Sequence, residues 1–448
     1  MKRLLLINPV GRRSGYLLSR ISSFPPLGLA YVAAVTPPDW EIKIVDENFE
    51  GSVLEEADLV GITAFTSSIN RAYEVARNYR ERKIKVVLGG IHASMLPEEA
   101  LQHADAVVIG EVEGVWDRVI HDFERGCLAE RYLGPQIDLE ESSIRPRRDL
   151  LDPRYLWHPV QTSRGCPFNC HFCSVSRYLG KRYRQRSADD VLAELSTIPG
   201  KYIAFVDDNL IGYSPENKLR AKRLFQGMIE RGLAKKWWMQ ASINAAEDEE
   251  VVRLAAEAGC LFTFIGFEST RRETLKTMEK GVNLKVGVER YRDVVGRFHK
   301  HGIGVYGAFV IGNDYESEGY YREMAEFLLR SDIDMFQIST LTPLPGTALM
   351  RQLKEEGRLL CENLPQDWDK YRFSYMVHKP RGLDPETVYA GNNYIKGRLY
   401  SLPAYALRLG RSLYNLKGLK KFLVVYQLNQ ALRRSWRNSH YYNRYTLP

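Results

Sequence analysis

Three of the six cysteines in this 448-residue chain stand within eight positions of one another. The segment reads Ser163-Arg164-Gly165-Cys166-Pro167-Phe168-Asn169-Cys170-His171-Phe172-Cys173, a C-x3-C-x2-C spacing. Cysteine thiolates are the usual holders of iron–sulfur clusters. Three on one tight loop can cap three irons of a cubane and leave the fourth iron open. A structural zinc site normally closes with four ligands. His171 could be offered as the fourth, and zinc or plain structural cysteines are the competing reading, but no second cysteine pair completes a ribbon. Cys127, Cys260 and Cys361 are scattered and read as small core hydrophobes. A disulfide framework is not expected in a chain of this size and cysteine content.

Other chemistry-bearing residues sit where apolar runs stop. Phe205-Val206 leads into Asp207, Asp208 and Asn209, a combination that also makes a good helix-entry turn. Ser242 and Asn244 follow the next run, Gly266 and Glu268 the one after, then Gly312, then Thr342-Pro343-Leu344-Pro345-Gly346-Thr347. A separate set of turns lies upstream: Pro25-Pro26-Leu27-Gly28, Gly89-Gly90-Ile91-His92 and Gly110-Glu111-Val112-Glu113-Gly114. Tyr213, Tyr306 and His378 could move a proton, but nothing in their spacing ranks them, and no catalytic acid or base is assigned.

The elements that must position these residues form two series. Residues 1–126 alternate apolar strands at 3–8, 41–46, 59–65, 85–89 and 106–110 with helices at 27–34, 68–81, 97–103 and 115–125. Continuous apolar strands between helices predict an α/β, doubly wound parallel sheet covered on both faces. Ligands bind such sheets beyond the strand C-termini. Residues 127–158 read as a linker, with Arg145-Pro146-Arg147-Arg148 lacking any periodicity. Residues 159–355 repeat strand and helix six times, with strands at 159–163, 202–206, 237–242, 262–267, 305–311 and 336–341. Helices fit at 188–196, 216–231, 248–258, 284–301, 318–330 and 348–356. Six repeats fall short of the eight that close a barrel, so a partial, open (β/α)6 barrel is predicted, with functional residues at its strand C-termini. Residues 356–448 read as a mainly helical, basic region.

The cysteine loop after the first barrel strand resembles the signature of the radical S-adenosylmethionine superfamily, and the resemblance covers residues 159–355. It implies a [4Fe–4S] cluster held by Cys166, Cys170 and Cys173, with S-adenosylmethionine on the open iron. One electron would split the sulfonium and release a 5′-deoxyadenosyl radical, the cofactor's chemistry rather than the protein's. The resemblance places Phe172 near the adenine and offers Asp207 and Asp208 to the amino group of S-adenosylmethionine. It offers Ser242 to the ribose or carboxylate, Gly266 and Glu268 to the ligand or ribose, and Gly312 as backbone against the adenine. The upstream turns, with Gly28, Gly89, Gly90, His92, Gly110 and Glu111, resemble the cobalamin-binding domains fused to such enzymes. The Asp-x-His-x-x-Gly loop that supplies a cobalt ligand in many cobalamin proteins is absent, since Gly90 stands two residues before His92. That implies cobalt without a protein ligand below it. A domain of the same fold that has lost cobalamin and serves as a scaffold is the alternative.

The layout resembles hopanoid-type lipid methylases and tetrapyrrole cyclases. It implies methylation of an unactivated carbon in a lipid-like or other small molecule, with radical cyclisation or oxidation of a tetrapyrrole-like substrate as the alternative. A non-catalytic cobalamin- or cluster-bearing accessory protein is the reading from another class; polar residues at several strand ends argue against it. A one-electron donor such as flavodoxin or ferredoxin is implied as partner.

Charge adds one regional feature. The net charge is +8, yet the chain after Glu386 has eleven Lys and Arg and no Asp or Glu, so the remainder is slightly acidic. Leu409, Leu413, Leu416 and then Leu419, Leu423, Tyr426 recur at helical steps, predicting amphipathic helices with basic faces over 401–448. A helical cap on the barrel, a peripheral membrane contact and an acidic carrier remain open; a nucleic-acid partner is not expected. No run approaches the roughly 18 apolar residues of a membrane span. The apolar run behind Lys2 and Arg3 is too short for a signal peptide. A cytoplasmic location is expected, with association at a membrane surface as the alternative.

Overall fold

Alternation within the first apolar runs sends successive side chains to opposite faces of one sheet. In the computed structural model, which describes residues 1–11, 24–51 and 54–447, these runs form β1 (Lys2–Asn8), β2 (Trp40–Asp46), β3 (Leu59–Thr63), β4 (Lys85–Gly89) and β5 (Ala106–Gly110). Leu5, Ile7, Val60, Ile62 and Leu88 pack under the helix Ile69–Glu81. Leu4, Leu6, Leu59, Val87 and Val108 pack on the other face, under the helices Leu27–Ala34 and Trp116–Glu124. The expected doubly wound sheet is therefore present, all parallel, in the order β2-β1-β3-β4-β5.

Three local expectations are corrected. The segment 127–158 is not linker throughout: β6 (Arg131–Gly134) extends the sheet beyond β5. Only Tyr132 of its four residues is buried, which leaves no readable alternation. The third strand stops at Thr63, because Phe65 opens a short 3-10 turn. Residues after Gly90 are helical rather than loop, over Ile91–Met95.

The second series forms β7 (His158–Val160), a two-residue pair β8 (Ser163–Arg164) and β9 (Arg184–Gln185), then β10 (Tyr202–Phe205), β11 (Lys236–Ala241), β12 (Cys260–Glu268), β13 (Gly304–Ile311) and β14 (Met335–Thr340). Six parallel strands run β7-β10-β11-β12-β13-β14, with β7 and β14 as free edges. This is the expected open barrel. The helix read over 284–301 is two helices, Gly281–Val286 and Tyr291–Lys300, broken at Gly287.

Residues 356–384 have little regular structure, yet they brace the molecule. Cys361, Trp368, Tyr371 and Val377 are buried in the core of the first sheet. The helices Pro385–Leu399, Leu402–Asn415 and Leu419–Arg437 follow. Val425 and Leu428 enter the inner barrel cluster with Trp157, Phe262 and Met335, so the last helix plugs the barrel at the N-terminal ends of its strands.

The helical faces differ from the expected amphipathic arrangement. Arg408, Ser412 and Asn429 are buried, whereas Leu413, Leu419, Leu423 and Tyr426 are exposed. The reason is Asp334 at the start of β14. Its Oδ1 accepts from Ser412 (2.6 Å), and its carbonyl accepts from Arg408 (3.1 Å) and Asn429 (3.0 Å). Acceptors buried there require donors, and those donors turn the polar stripe inward.

Candidate active site

The cysteine loop is anchored before it begins. Asp207, at the end of β10, accepts from Thr162 N (2.9 Å), Thr162 Oγ1 (3.0 Å) and Ser163 Oγ (2.6 Å). It is fully buried, and burial pushes its carboxyl upward. The structure thus makes Asp207 a tether of the loop; its Oδ2 has no protein partner. Gly165 then turns with φ +88°, and a Cβ there would fall 2.2 Å from the Arg182 carbonyl, so only glycine fits.

Within the loop, Cys166 N donates to the Gly180 carbonyl (3.1 Å) and Cys173 N to the Cys170 carbonyl (3.1 Å). His171 is taken up by the Ala348–Glu355 helix: its Nε2 lies 2.8 Å from Gln352 Oε1, and its carbonyl accepts from Leu349 N. That ring nitrogen is therefore committed to the helix. All three thiols are free. Among the described residues no trio of His, Cys, Asp or Glu converges on a single ion. A cubane needs no such convergence, because each thiolate caps a separate iron. Burial pushes the thiol of Cys170 up and that of Cys173 up to about 12, so iron must displace their protons. Free thiols on one anchored loop are a donor set that fits a [4Fe–4S] cluster.

Two side chains outside the motif attend it. The Tyr213 hydroxyl lies 3.3 Å from Cys166 Sγ. Burial, then the nearby Cys166, raises its ionisation well above the ordinary phenol range, so it remains a proton donor. Lys280 donates to Glu268 Oε1 (2.6 Å), and its ammonium sits 6.0 Å from the Phe172 ring centroid. Burial opposes the Lys280 charge, but Glu268 and Cys170 outweigh it and raise its proton affinity. Glu268 itself adopts φ +63° at a register shift between β12 and β13. Phe172 packs against the buried cluster of Met278, Leu341, Leu349, Leu353 and Leu359.

The other expected ligand contacts divide. Asp208 is solvent-exposed but ringed by protein; burial of its surroundings, then Asp207, raises its carboxyl to about 6. Its charge is felt at Cys173. Ser242 is half-buried and accepts from Asn209 Nδ2 (3.2 Å), while Asn244 Oδ1 is buried without a partner. Gly266 lies against Glu268, and Gly312 closes β13, donating to Glu316 (2.7 Å) and accepting from His378 Nε2 (3.2 Å). Asp208, Ser242, Glu268 and Gly312 therefore follow adjacent strands β10 to β13 around the cysteine loop. An exposed carboxylate and an orphaned amide oxygen suit the polar groups of S-adenosylmethionine.

In the first domain, Gly90 has φ +87°, with Thr63 Oγ1 where a side chain would begin. His92 is fully buried, its nitrogens 3.2 Å from Thr66 Oγ1 and Glu99 Oε1, under the Trp368 ring. His92, expected on the cofactor side, is thus engaged within the protein and not presented to a ligand. Gly28 lies open in the first turn of its helix, Gly89 ends β4, and Gly110 N donates to Ser94 Oγ (3.0 Å). Glu111 is not turned toward a cofactor either. It is buried and holds Arg164 (3.1 Å) and Arg184, while Glu113 also binds Arg164. Burial raises its carboxyl, but Arg184 and Arg164 bring it below the ordinary range. Phe65, 72% exposed just beyond β3, was not singled out by sequence. The switch point of this strand order lies between β1 and β3, and Phe65 stands just past the C-terminal end of β3. Lys280, Phe65 and the Arg164–Arg184 pair are the residues sequence reading missed; only Arg164, inside the cysteine motif, carried a signal.

Comparison with known proteins agrees with this construction. Residues 14–120 match the B12 binding domain and residues 160–328 the radical SAM superfamily. The chain is 30% identical over 417 residues to bacteriochlorophyllide d C-12(1)-methyltransferase of Chlorobaculum tepidum, covering 88% of this chain and 86% of that protein. It is 28% identical over 366 residues to hopanoid C-2 methylase of Rhodopseudomonas palustris, covering 78% and 68%. Among solved structures, the radical S-adenosylmethionine methyltransferase TsrM from Kitasatospora setae, with cobalamin and a [4Fe–4S] cluster bound, superposes with a TM-score of 0.68 at 17% identity, over 96% of this chain and 99% of that one. The fold thus has a counterpart along nearly the whole length, and the chain belongs to the radical S-adenosylmethionine enzymes that carry an N-terminal B12-binding domain.

Proposed function

We propose that the protein is a cobalamin-dependent radical S-adenosylmethionine methyltransferase acting on an unactivated carbon of a large, apolar, lipid-like or polycyclic small molecule. The observation that carries this reading is the meeting of the two sheets at their C-terminal ends. Met95, in the helix after β4, packs its sulfur on Gly346 in the loop after β14. Glu111 and Glu113, after β5, clamp Arg164 and Arg184 on either side of the cysteine loop. The corrin platform and the cluster loop therefore border one crevice, and a single substrate carbon can be served from both sides.

When bound, the cluster with S-adenosylmethionine supplies a hydrogen-abstracting radical, and cobalamin supplies the methyl group. The chain's own residues position these groups. Cys166, Cys170 and Cys173 hold the cluster, Tyr213 and Lys280 set its polar surroundings, and Asp208, Ser242, Glu268 and Gly312 line the S-adenosylmethionine side. Gly28, Gly89, Gly90 and Gly110 with Phe65 form the corrin side. Methyl transfer is favoured over cyclisation because the relatives named above are methylating enzymes. The substrates in their names, a bacteriochlorophyllide and a hopanoid, support the large apolar class. A flavodoxin- or ferredoxin-like donor supplies the electron, and the protein works in the cytoplasm, in part at a membrane.

The test is anaerobic turnover of the reconstituted protein with reductant, S-adenosylmethionine labelled in its methyl group, and a bacteriochlorophyllide or a hopanoid. Label in the product, with equal amounts of 5′-deoxyadenosine and S-adenosylhomocysteine, is expected. 5′-Deoxyadenosine with an unlabelled, oxidised product would establish the cyclase-type outcome instead.

A further inference from the structure

Seven of the seventeen exposed large hydrophobic side chains among the described residues lie between positions 402 and 426. The helix Leu402–Asn415 is held down by Tyr405, Arg408 and Ser412, all buried. Its opposite side presents Leu402 (76% exposed), Leu407, Leu413 and Tyr414 (85%) at helical steps. Pro403, Ala406 and Gly410 are the other exposed residues of that side; Arg411, its side chain 40% exposed, borders the row and is paired with Asp332. The next helix turns Val425, Leu428 and Asn429 inward and Leu419, Leu423 and Tyr426 outward. The two outward rows meet at the hairpin around Lys417, beside exposed Lys420.

Soluble chains rarely leave such a row of leucines on one face without a use for it. Its charge environment selects among occupants. No carboxylate occurs from 387 onward. The nearest acidic groups on packed elements are engaged: Asp332 by Arg292 and Arg411, Asp334 by His299 and Ser412. A second copy would press like charges together. Leucines in the plane, tyrosines at the edge and lysines alongside are the composition of a helix lying in a membrane interface.

We propose that the hairpin of helices Leu402–Asn415 and Leu419–Arg437 docks the enzyme on an anionic lipid surface, with the leucine row inserted and Lys417 and Lys420 at the headgroups. This gives residues and an orientation to the membrane association suggested above. It stands on exposure and charge and is independent of the methyl-transfer reading.

The test is flotation of the cofactor-loaded full chain with phosphatidylcholine vesicles, with and without phosphatidylglycerol. Binding only to the anionic vesicles, lost in high salt, is expected. The triple variant Leu413→Glu, Leu419→Glu, Leu423→Glu should bind at least roughly ten-fold less. Lys420→Ala should weaken binding about five-fold. Both variants should keep wild-type circular dichroism and wild-type 5′-deoxyadenosine formation, so failure here is separable from failure of the enzymatic reading. No flotation of the wild-type holoenzyme, or full binding by the triple variant, would overturn the proposal. So would a dimer in sedimentation that the triple variant breaks, since a second copy would then cover the face.

Discussion

Lys280 and Glu268 share one hydrogen bond of 2.6 Å beside the cluster loop. Replacing Lys280 by Met leaves Glu268 buried without its counter-charge, a loss of about 3–5 kcal/mol. It also removes a positive charge next to Cys170. The expected result is a lower midpoint potential for the cluster in an EPR-monitored titration, with Lys280→Arg restoring most of it; an unchanged potential would detach Lys280 from the cluster. Asp208 makes the pH-dependent counterpart. Its carboxyl titrates near about 6, above the ordinary aspartate value, so it is charged above that pH and neutral below. If it receives the amino group of S-adenosylmethionine, affinity should fall as pH drops through about 6, and Asp208→Asn should give weak binding at every pH. Calorimetric titration of the cluster-loaded protein between pH 5 and 8 measures this. Of these side chains, Asp208 and Glu268 were legible because strand ends can be read from apolar periodicity. Lys280 was not, because the bend that returns it to Glu268 depends on tertiary packing of two short helices.

At the scale of elements, the segment 356–384 contributes more than its lack of regular structure suggests. The Trp368 indole N–H donates to both Glu99 oxygens at 3.0 Å, and the ring covers His92. Trp368→Ala should cost about 3–5 kcal/mol from cavity formation and expose the Gly90–His92 loop. Lowered urea stability together with weakened corrin retention is expected; loss of one without the other would uncouple this brace from the cobalamin loops. The brace could not be read from sequence, since residues with no helical or strand period give no hint of the face they cover. The same limit hid β6, with its single buried tyrosine. It also hid the facing of the C-terminal helices: Leu416 is buried and Leu409 packs on the core as their spacing predicts, but Leu413, Leu419, Leu423 and Tyr426 face out, while Asp334, distant in sequence, draws in Arg408, Ser412 and Asn429. Where pattern and core coincide, as in β1 to β5 and in the barrel strands, the elements were foreseen nearly to the residue.

For the molecule as a whole, the Glu111 clamp joins the corrin side to the cluster side. Its carboxyl is held below the ordinary range by Arg184 and Arg164 despite burial. A carboxylate depressed in the folded state stabilises above its unfolded value and loses that contribution as pH falls through the folded one. The interface should therefore loosen in acid below about pH 4.5, seen as proteolysis within 127–158. Glu111→Gln should show the same nicking at neutral pH, with the loss again of about 3–5 kcal/mol; resistance of that variant would mean the sheets are held together by Met95 and the 356–384 segment alone.

If the leucine-bearing hairpin rests on lipid, its position fixes which way the enzyme looks. Lys421 lies beside Cys260, the first residue of β12, and Lys280 meets Glu268, the last, on the cluster side. Nine residues of strand, about 30 Å, stand between the face that would rest on lipid and the crevice that would hold substrate. An enzyme moored by that face has its mouth turned to the aqueous phase. A greasy substrate would have to leave the bilayer, or be handed over by a carrier, before its carbon could be reached.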